Sequence, residues 1–336
     1  MEFFKNTKFD FIGKRKIAYT VSIVLAVIGL VSIISKGGLN LSIDFVGGTL
    51  IQMKFEPMPG MEEIRKVLAD NGLKGAQLQH FPKESEIIIR VKKGEQITEE
   101  VSPDTAAQAS GETQSYGETR SLAAFSETAA ASPRMGSVEK KFNDMFSAAF
   151  PGAKIGIIRA EMVGPSVGKK LLSQAVWALF WGMIGIMIYV GWRFEFKYSA
   201  PAVLALLHDV FIVTGLLTLF NMEIDMTIIA ALLTIVGYSI NDTIVVYDRI
   251  REKVKMYARD EIGKVMNVAI NDTLGRTFIT GLTTIIVLLC IFFFGGEVIH
   301  SFAFSLLLGV VIGTYASIFV ASPLVYEWDK RYRKAR

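Results

Sequence analysis

An aspartate inside a membrane-length apolar block needs a physical reason to be there. Asp242 lies in the stretch GYSINDTIVVYDRI, Gly237 to Ile250, with apolar residues on both sides. An aspartate at mid-bilayer costs about 2.5–3.5 kcal/mol even on insertion scales, so it faces protein or water rather than lipid. His208 and Asp209 stand side by side near the middle of a second apolar block, and Arg276 opens a third. Acids and a guanidinium in such surroundings suit ion coupling. In a low dielectric a lone carboxyl favours its neutral form and a nearby guanidinium favours the anion, so opening or closing their contact moves a proton. A membrane potential contributes about 2.3 kcal/mol per charge per 100 mV, enough to bias a two-state motion.

The helical faces agree with that chemistry. Leu233, Val236, Ile240 and Ile244 recur at helical spacing and are expected to face lipid, while Tyr238, Ser239, Asp242 and Thr243 gather on the other side. In the block opened by Arg276, Phe278, Ile279, Leu282, Ile285, Ile286 and Leu289 form an apolar arc opposite Arg276, Thr277, Thr280, Thr283 and Thr284. Asp242 is five residues from the inner end of its block, ~7 Å deep at 1.5 Å per residue, and Arg276 sits at a similar depth. An ion pair, direct or through water, is geometrically open to them. Blander readings stand beside this one: Arg276 snorkelling to headgroups, Asp242 capping backbone or pairing statically, His208 as a satisfied interior histidine. The candidate ion-coupling residues are Asp242 and Arg276, with His208, Asp209, Tyr238, Asn241, Thr243 and Thr280 in support.

The elements that must position them are membrane spans. Of 336 residues, 51% are hydrophobic and only 20% charged, and the apolar ones gather into six blocks long enough to cross ~30 Å of hydrocarbon. These are residues 17–34, 171–191, 199–220, 224–247, 277–294 and 298–322, the last five forming a bundle over 169–325. The first is long for a signal-peptide core, and the following SKGGLNLSID lacks a small-x-small cleavage site, so a retained span is expected. Segments 1–16, 192–198, 248–276 and 326–336 hold 5, 2, 7 and 5 lysines or arginines, whereas the turns NMEID and GGEVIH hold none. That asymmetry predicts cytoplasmic termini, including a basic tail at 326–336, with Lys169 and Lys170 in mild disagreement.

Residues 35–168 are then expected outside, as a nearly neutral domain with 15 basic and 17 acidic side chains and no nucleic-acid footprint. LSIDFVGGTLIQMKF alternates like a strand interrupted at Gly47–Gly48, and MEEIRKVLADNG is an amphipathic helix. AQLQHFPKESEIIIRVK holds two strands, SVEKKFNDMFSAAFPG a helix opened by Ser137, and KIGIIRAEMVG a last strand. The order β-α-β-β-α-β predicts a ferredoxin-like α+β unit. Residues 94–136, rich in Ala, Ser, Thr, Glu and Gly without period, read as a flexible insertion. Gly164, Pro165 and Gly168 in EMVGPSVG form a stiff connector or a hinge, with Gly168 allowing close approach to a neighbour. Gly309 and Gly313 make a GxxxG match in the last span, a packing signal.

Some chemistries find no support. Cys290 is the only cysteine, and the histidines at 80, 208 and 300 are scattered, so neither a disulfide nor a metal site is expected. No GxxxxGK[ST] phosphate loop occurs, so nucleotide hydrolysis is not expected of this chain; neither a cofactor nor an enzyme activity is expected.

As an ordered set, DFVGGT (44–49), EMVGPSVGKKL (161–171), LLHDV (206–210), SINDTIVVYDRIRE (239–252) and LGRTFITGLTT (274–284) resemble the SecF family of protein translocase subunits, in the resistance-nodulation-division superfamily. The resemblance covers the chain apart from the 94–136 insertion. It implies a bacterial inner-membrane partner of SecD that works with the SecYEG channel and draws unfolded preproteins outward using the proton gradient. It also implies that the aspartate of the SIND motif and the arginine of the RT motif, here Asp242 and Arg276, couple ions. A small-molecule exporter half and a non-coupling scaffold of the translocon are the alternatives. Proton coupling is preferred to sodium because no clear oxygen cage stands out in the sequence.

Overall fold

The computed structural model describes residues 7–81, 85–92, 133–194, 196–257 and 260–334. In chain order its elements are α1 (Arg15–Ser35), α2 (Ile43–Val46), β1 (Gly48–Glu56), α3 (Met61–Asp70), β2 (Gln77–Phe81), β3 (Glu86–Lys92), α4 (Pro133–Ala149), β4 (Lys154–Val163), α5 (Pro165–Arg193), α6 (Phe196–Leu219), α7 (Met226–Met256), α8 (Ile262–Phe294) and α9 (Glu297–Ala316). A π-helical turn (Ser317–Ala321) and α10 (Ser322–Lys334) follow. The chain divides into two compact units, Ser42–Leu172 and the remainder.

The smaller unit is an α+β domain whose four-stranded sheet runs β2-β3-β1-β4 with every neighbouring pair antiparallel. That is the ferredoxin-like order expected from the element sequence. Ile51, Met53 and Phe55 alternate along β1 and face Ile87, Ile89 and Val91 of β3, with Ile51 opposite Ile89 and Met53 opposite Ile87. Period-two alternation sends these side chains to one face, where Ile64 and Leu68 of α3 and Phe142 and Phe146 of α4 cover them. Phe55 meets Phe146 edge-on with centroids 5.5 Å apart.

Two expectations for this unit change. Leu41–Val46 is not strand: Ser42 accepts the Asp44 N–H at 3.2 Å and caps the short α2, so β1 starts at Gly48. The second helix opens at Pro133 rather than Ser137, inside the segment expected to be insertion. Proline suits a first helical position because its missing N–H would have had no intrahelical partner there. The rest of that insertion lies outside the described residues.

Among the described residues six helices are long and apolar enough to cross a membrane; α5 begins in the smaller unit and the others lie in the larger. The α1–α6 contact is built on two glycines: a Cβ on Gly215 would fall 2.6 Å from the Gly29 Cα. The helices run past their apolar blocks. Most of the expected connecting segment 248–276 is helical, since α7 reaches Met256 and α8 starts at Ile262. These extensions have apolar faces of their own, and Ile250, Val265, Met266, Ala269 and Ile270 are buried there. Lys253 and Arg249 meet Asp272 at 3.0 Å and tie the two extensions together. The expected tail 326–336 is likewise helical through Lys334.

The expected lipid face of α7 is corrected as well. Val236 and Ile240 join the buried cluster with Leu206, Tyr247 and Ala316, while Leu233 stays exposed. Neighbouring helices cover α7 on both sides.

Candidate functional site

The site begins with close packing of α9 on α7. A Cβ on Gly309 would lie 2.2 Å from the Ile235 Cγ1, and one on Gly313 would lie 3.0 Å from the Ser239 Cβ. Without side chains at these positions the two helices approach, and the next position along the same stripe, Ser317, reaches α7. Its hydroxyl is 2.9 Å from the Thr243 hydroxyl, which also donates to the Ser239 carbonyl at 3.1 Å. Ser317 opens the π-turn, and Ser322 donates back to its carbonyl at 2.9 Å. A π-turn inserts a residue into the helical ladder and re-aims side chains, and such turns are frequent at functional sites.

From α7 the network continues into α6. Ser239 donates to the Asp209 Oδ2 at 2.6 Å, and His208 Nδ1 lies 3.0 Å from the Asp209 Oδ1. Asp209 is fully buried, with a partner on each oxygen. Such a buried acid is anchored, because stripping either partner leaves a buried polar oxygen without solvent or partner. The His208 Nε2 is buried and has no hydrogen-bond partner.

Asp242 lies one turn from Ser239 along α7 and differs in kind. Only 4% of it is exposed, and its Oδ2 is buried without a hydrogen-bond partner. Arg276 is near enough to act on it electrostatically, without a direct ion pair between them. Arg276 itself is exposed on α8, whereas the adjacent Thr277 is 2% exposed and its Oγ1 lacks a partner. One turn earlier along α7, the half-buried Tyr238 brings its hydroxyl near Thr280, Thr284 and Thr314, close to Gly281. The Thr280 hydroxyl bonds back to the carbonyls of Arg276 and Thr277 at 3.0 and 3.1 Å.

The structure therefore gathers His208, Asp209, Ser239 and Thr243 into one bonded network and sets Asp242, Arg276, Tyr238 and Thr280 beside it. Asn241 does not join: it is exposed on α7. Ser317 and Thr314 were not singled out from the sequence. The available signal was the four-residue stripe Gly309, Gly313, Ser317, which continues the glycine match by one turn.

At the connector, Gly164 alone separates β4 from α5, and Pro165 opens that helix. A Cβ on Gly168 would fall 2.6 Å from the Phe45 carbonyl oxygen, so the close approach expected there is present.

The chain has clear relatives. Residues 141–331 match the family described as protein export membrane protein SecD/SecF, C-terminal, and residues 32–57 match the SecD/SecF GG motif. The protein translocase subunit SecF of Calditerrivibrio nitroreducens is 40% identical over 97% of this chain and 96% of its own length. The subunit SecF of Magnetococcus marinus is 41% identical over 99% and 96%. The chain belongs to the SecF family. The crystal structure of SecDF from Thermus thermophilus, titled a translocon-associated membrane protein, is similar with a TM-score of 0.74 and 32% identity. This chain is matched over 97% of its length and spans 39% of that SecDF chain.

The segment matched by the GG motif includes Gly47 and Gly48, and the geometry explains both. Gly47 has φ +82° and a Cβ there would sit 2.9 Å from the Pro165 Cα; Gly48 has φ +155° and its Cβ would sit 2.3 Å from the Val91 carbonyl oxygen. Both positions combine a backbone that L side chains avoid with backbone neighbours that cannot yield. In this SecF-family chain the pair makes the turn from α2 into β1.

Proposed function

We propose that the chain is the SecF subunit of a protein-export accessory complex, paired with SecD beside the SecYEG channel, and that it uses the proton motive force to draw unfolded preproteins across the bacterial inner membrane. Its family membership and its likeness to SecDF support the accessory role. Its match to 39% of the SecDF chain supports a SecD partner, as do the weakly buried second and fifth spans, with 6% and 17% of their apolar windows inside this chain. The lysine and arginine distribution supports cytoplasmic termini and a periplasmic α+β domain.

The observation that carries ion coupling is Asp242: a carboxyl 4% exposed, one oxygen without a partner, within electrostatic reach of a guanidinium it does not grip. A static ion pair would close that contact. An open one responds to small helix shifts, because each change in acid–guanidinium separation changes the free energy of the charged form. Gly164, Pro165 and Gly168 are the proposed hinge that passes the resulting motion on.

The test is gradient-dependent export into inverted membrane vesicles carrying Asp242→Asn. Loss of the gradient-dependent component with normal complex assembly is the expected result. Full retention removes the coupling role and leaves a scaffold. Drug sensitivity without a secretion defect favours a small-molecule exporter instead.

A further inference from the structure

The segment before the first span, Phe9–Gly13, does not hang free. Two asparagines one turn apart on α8 bind its main chain as a neighbouring strand would. The Asn271 Oδ1 accepts the Phe9 N–H at 3.0 Å, and its Nδ2 donates to the Phe9 carbonyl at 2.9 Å. The Asn267 Oδ1 accepts the N–H groups of Phe11 and Ile12 at 2.9 and 3.0 Å. The Asn267 Nδ2 donates to the Asp10 Oδ1 at 2.7 Å, which also accepts the Gly13 N–H at 2.8 Å.

The segment then bridges to the last span. Phe11 and Ile12 are buried, and Phe11 meets Phe319 edge-on at 5.3 Å, within the π-turn that begins at Ser317. The Ile12 carbonyl accepts from Arg15 at 2.8 Å, and Arg15 in turn pairs with Glu327 at 2.7 Å and lies over the Tyr326 ring. The strap thus holds together the helix that carries Arg276 and the turn that places Ser317 against Thr243. Asn271 and Arg276 are five residues apart in one continuous helix, ~7.5 Å along its axis, so moving one moves the other.

We infer that Asn267 and Asn271 are positioning residues for Arg276, and that Phe9–Gly13 is the latch through which they act. This rests on the ion-coupling reading above. The latch sets where the inner half of α8 sits relative to the π-turn, and so the separation over which Arg276 acts on Asp242.

The swap of two side chains tests it. Asn267→Asp keeps the acceptor for Phe11 and Ile12, loses the donor to Asp10, and sets two carboxylates together. Adding Asp10→Asn restores a donor from the opposite side and removes the like charge, while the Gly13 N–H, which shares the Asp10 Oδ1 with Asn267, loses its acceptor. In the assembled membrane complex, hydrogen exchange at Phe11 and Ile12 should rise about tenfold in Asn267→Asp, through one lost hydrogen bond and one like-charge contact, and return in the double variant. Gradient-dependent export should fall and recover in the same order, with complex assembly followed in parallel. Raised exchange with unchanged gradient dependence overturns the latch while leaving Asp242→Asn to judge the coupling reading by itself. Unchanged exchange overturns it too, as does a double variant that does not recover. If Asp242→Asn and Asn267→Asp both leave gradient dependence intact, the coupling reading falls and takes the latch's role with it.

Discussion

Substituting Gly309 with alanine should part the two helices that frame the polar network. A Cβ there would lie 2.2 Å from Cγ1, 2.3 Å from Cδ1 and 2.9 Å from Cγ2 of Ile235. Carbon atoms in good contact stand about 3.5–4.0 Å apart, so the overlap is roughly 1.3–1.8 Å. All three atoms belong to one buried isoleucine, and no single rotation clears them together. Helices α7 and α9 must therefore separate, at a cost of about 1–3 kcal/mol. In a bilayer no hydrophobic gain offsets this, because lipid tails are as apolar as the side chains and contact between helices rests on packing. Gly185→Ala is the control, since a Cβ there meets nothing within 4 Å. The thermal midpoint of the purified chain should drop for Gly309→Ala, hold for Gly185→Ala, and recover in part when Ile235→Ala is added, giving a coupling energy of about 1–3 kcal/mol. Equal midpoints for the two glycine variants, or no recovery in the double, would refute the packing argument.

Gly48→Ala should destabilise the α+β domain far more than Gly72→Ala. Both glycines have positive φ, but only the first has a carbonyl 2.3 Å from the added carbon, and limited proteolysis of the two variants checks the order. Ser239→Ala should cost about 1–3 kcal/mol by removing the 2.6 Å donor to the fully buried Asp209, read as a lower thermal midpoint, with partial relief on adding Asp209→Asn. The latch should hold at neutral pH and loosen only in strong acid. The Gly13 N–H first, then the Asn267 amide, keep the Asp10 carboxyl below its ordinary 3.8, so its contribution is complete above that pH and is lost as pH falls through the lowered value. Hydrogen exchange at Gly13 that rises already between pH 7 and 5 would contradict this.

Much of the fold was legible because it follows from periodicity. Alternation at Ile51, Met53, Phe55 and at Ile87, Ile89, Val91 gave both strands and the face they share. Leu41–Val46 also alternates, and failed for a local reason: Ser42 bonds the Asp44 N–H and turns the chain before the glycines can start a strand. The helices run past the expected span ends because hydropathy reports where lipid stops, and a helix with a buried stripe continues beyond it, as α8 does from Ile262. Val236 and Ile240 were assigned to lipid because an apolar side chain facing lipid and one facing another helix have the same composition. The bond from Ser239 to Asp209 joins residues 30 positions apart, and no helical wheel contains it.

The two buried acids separate by how their oxygens are used, which their shared residue type could not reveal. Asp209 has a partner on each oxygen and no exposure, so any helix shift that moves Ser239 or His208 away must break a buried hydrogen bond. That resists motion. Asp242, one turn away on α7, has a buried oxygen with no donor and a guanidinium that reaches it without contact. A shift of α8 against α7 breaks no bond there, yet alters the field at the carboxyl. In the proposed coupling, Asp209 would hold the frame and Asp242 would sense displacement within it. Ser239 links the two, because its side chain bonds Asp209 while the next turn of the same helix carries Asp242.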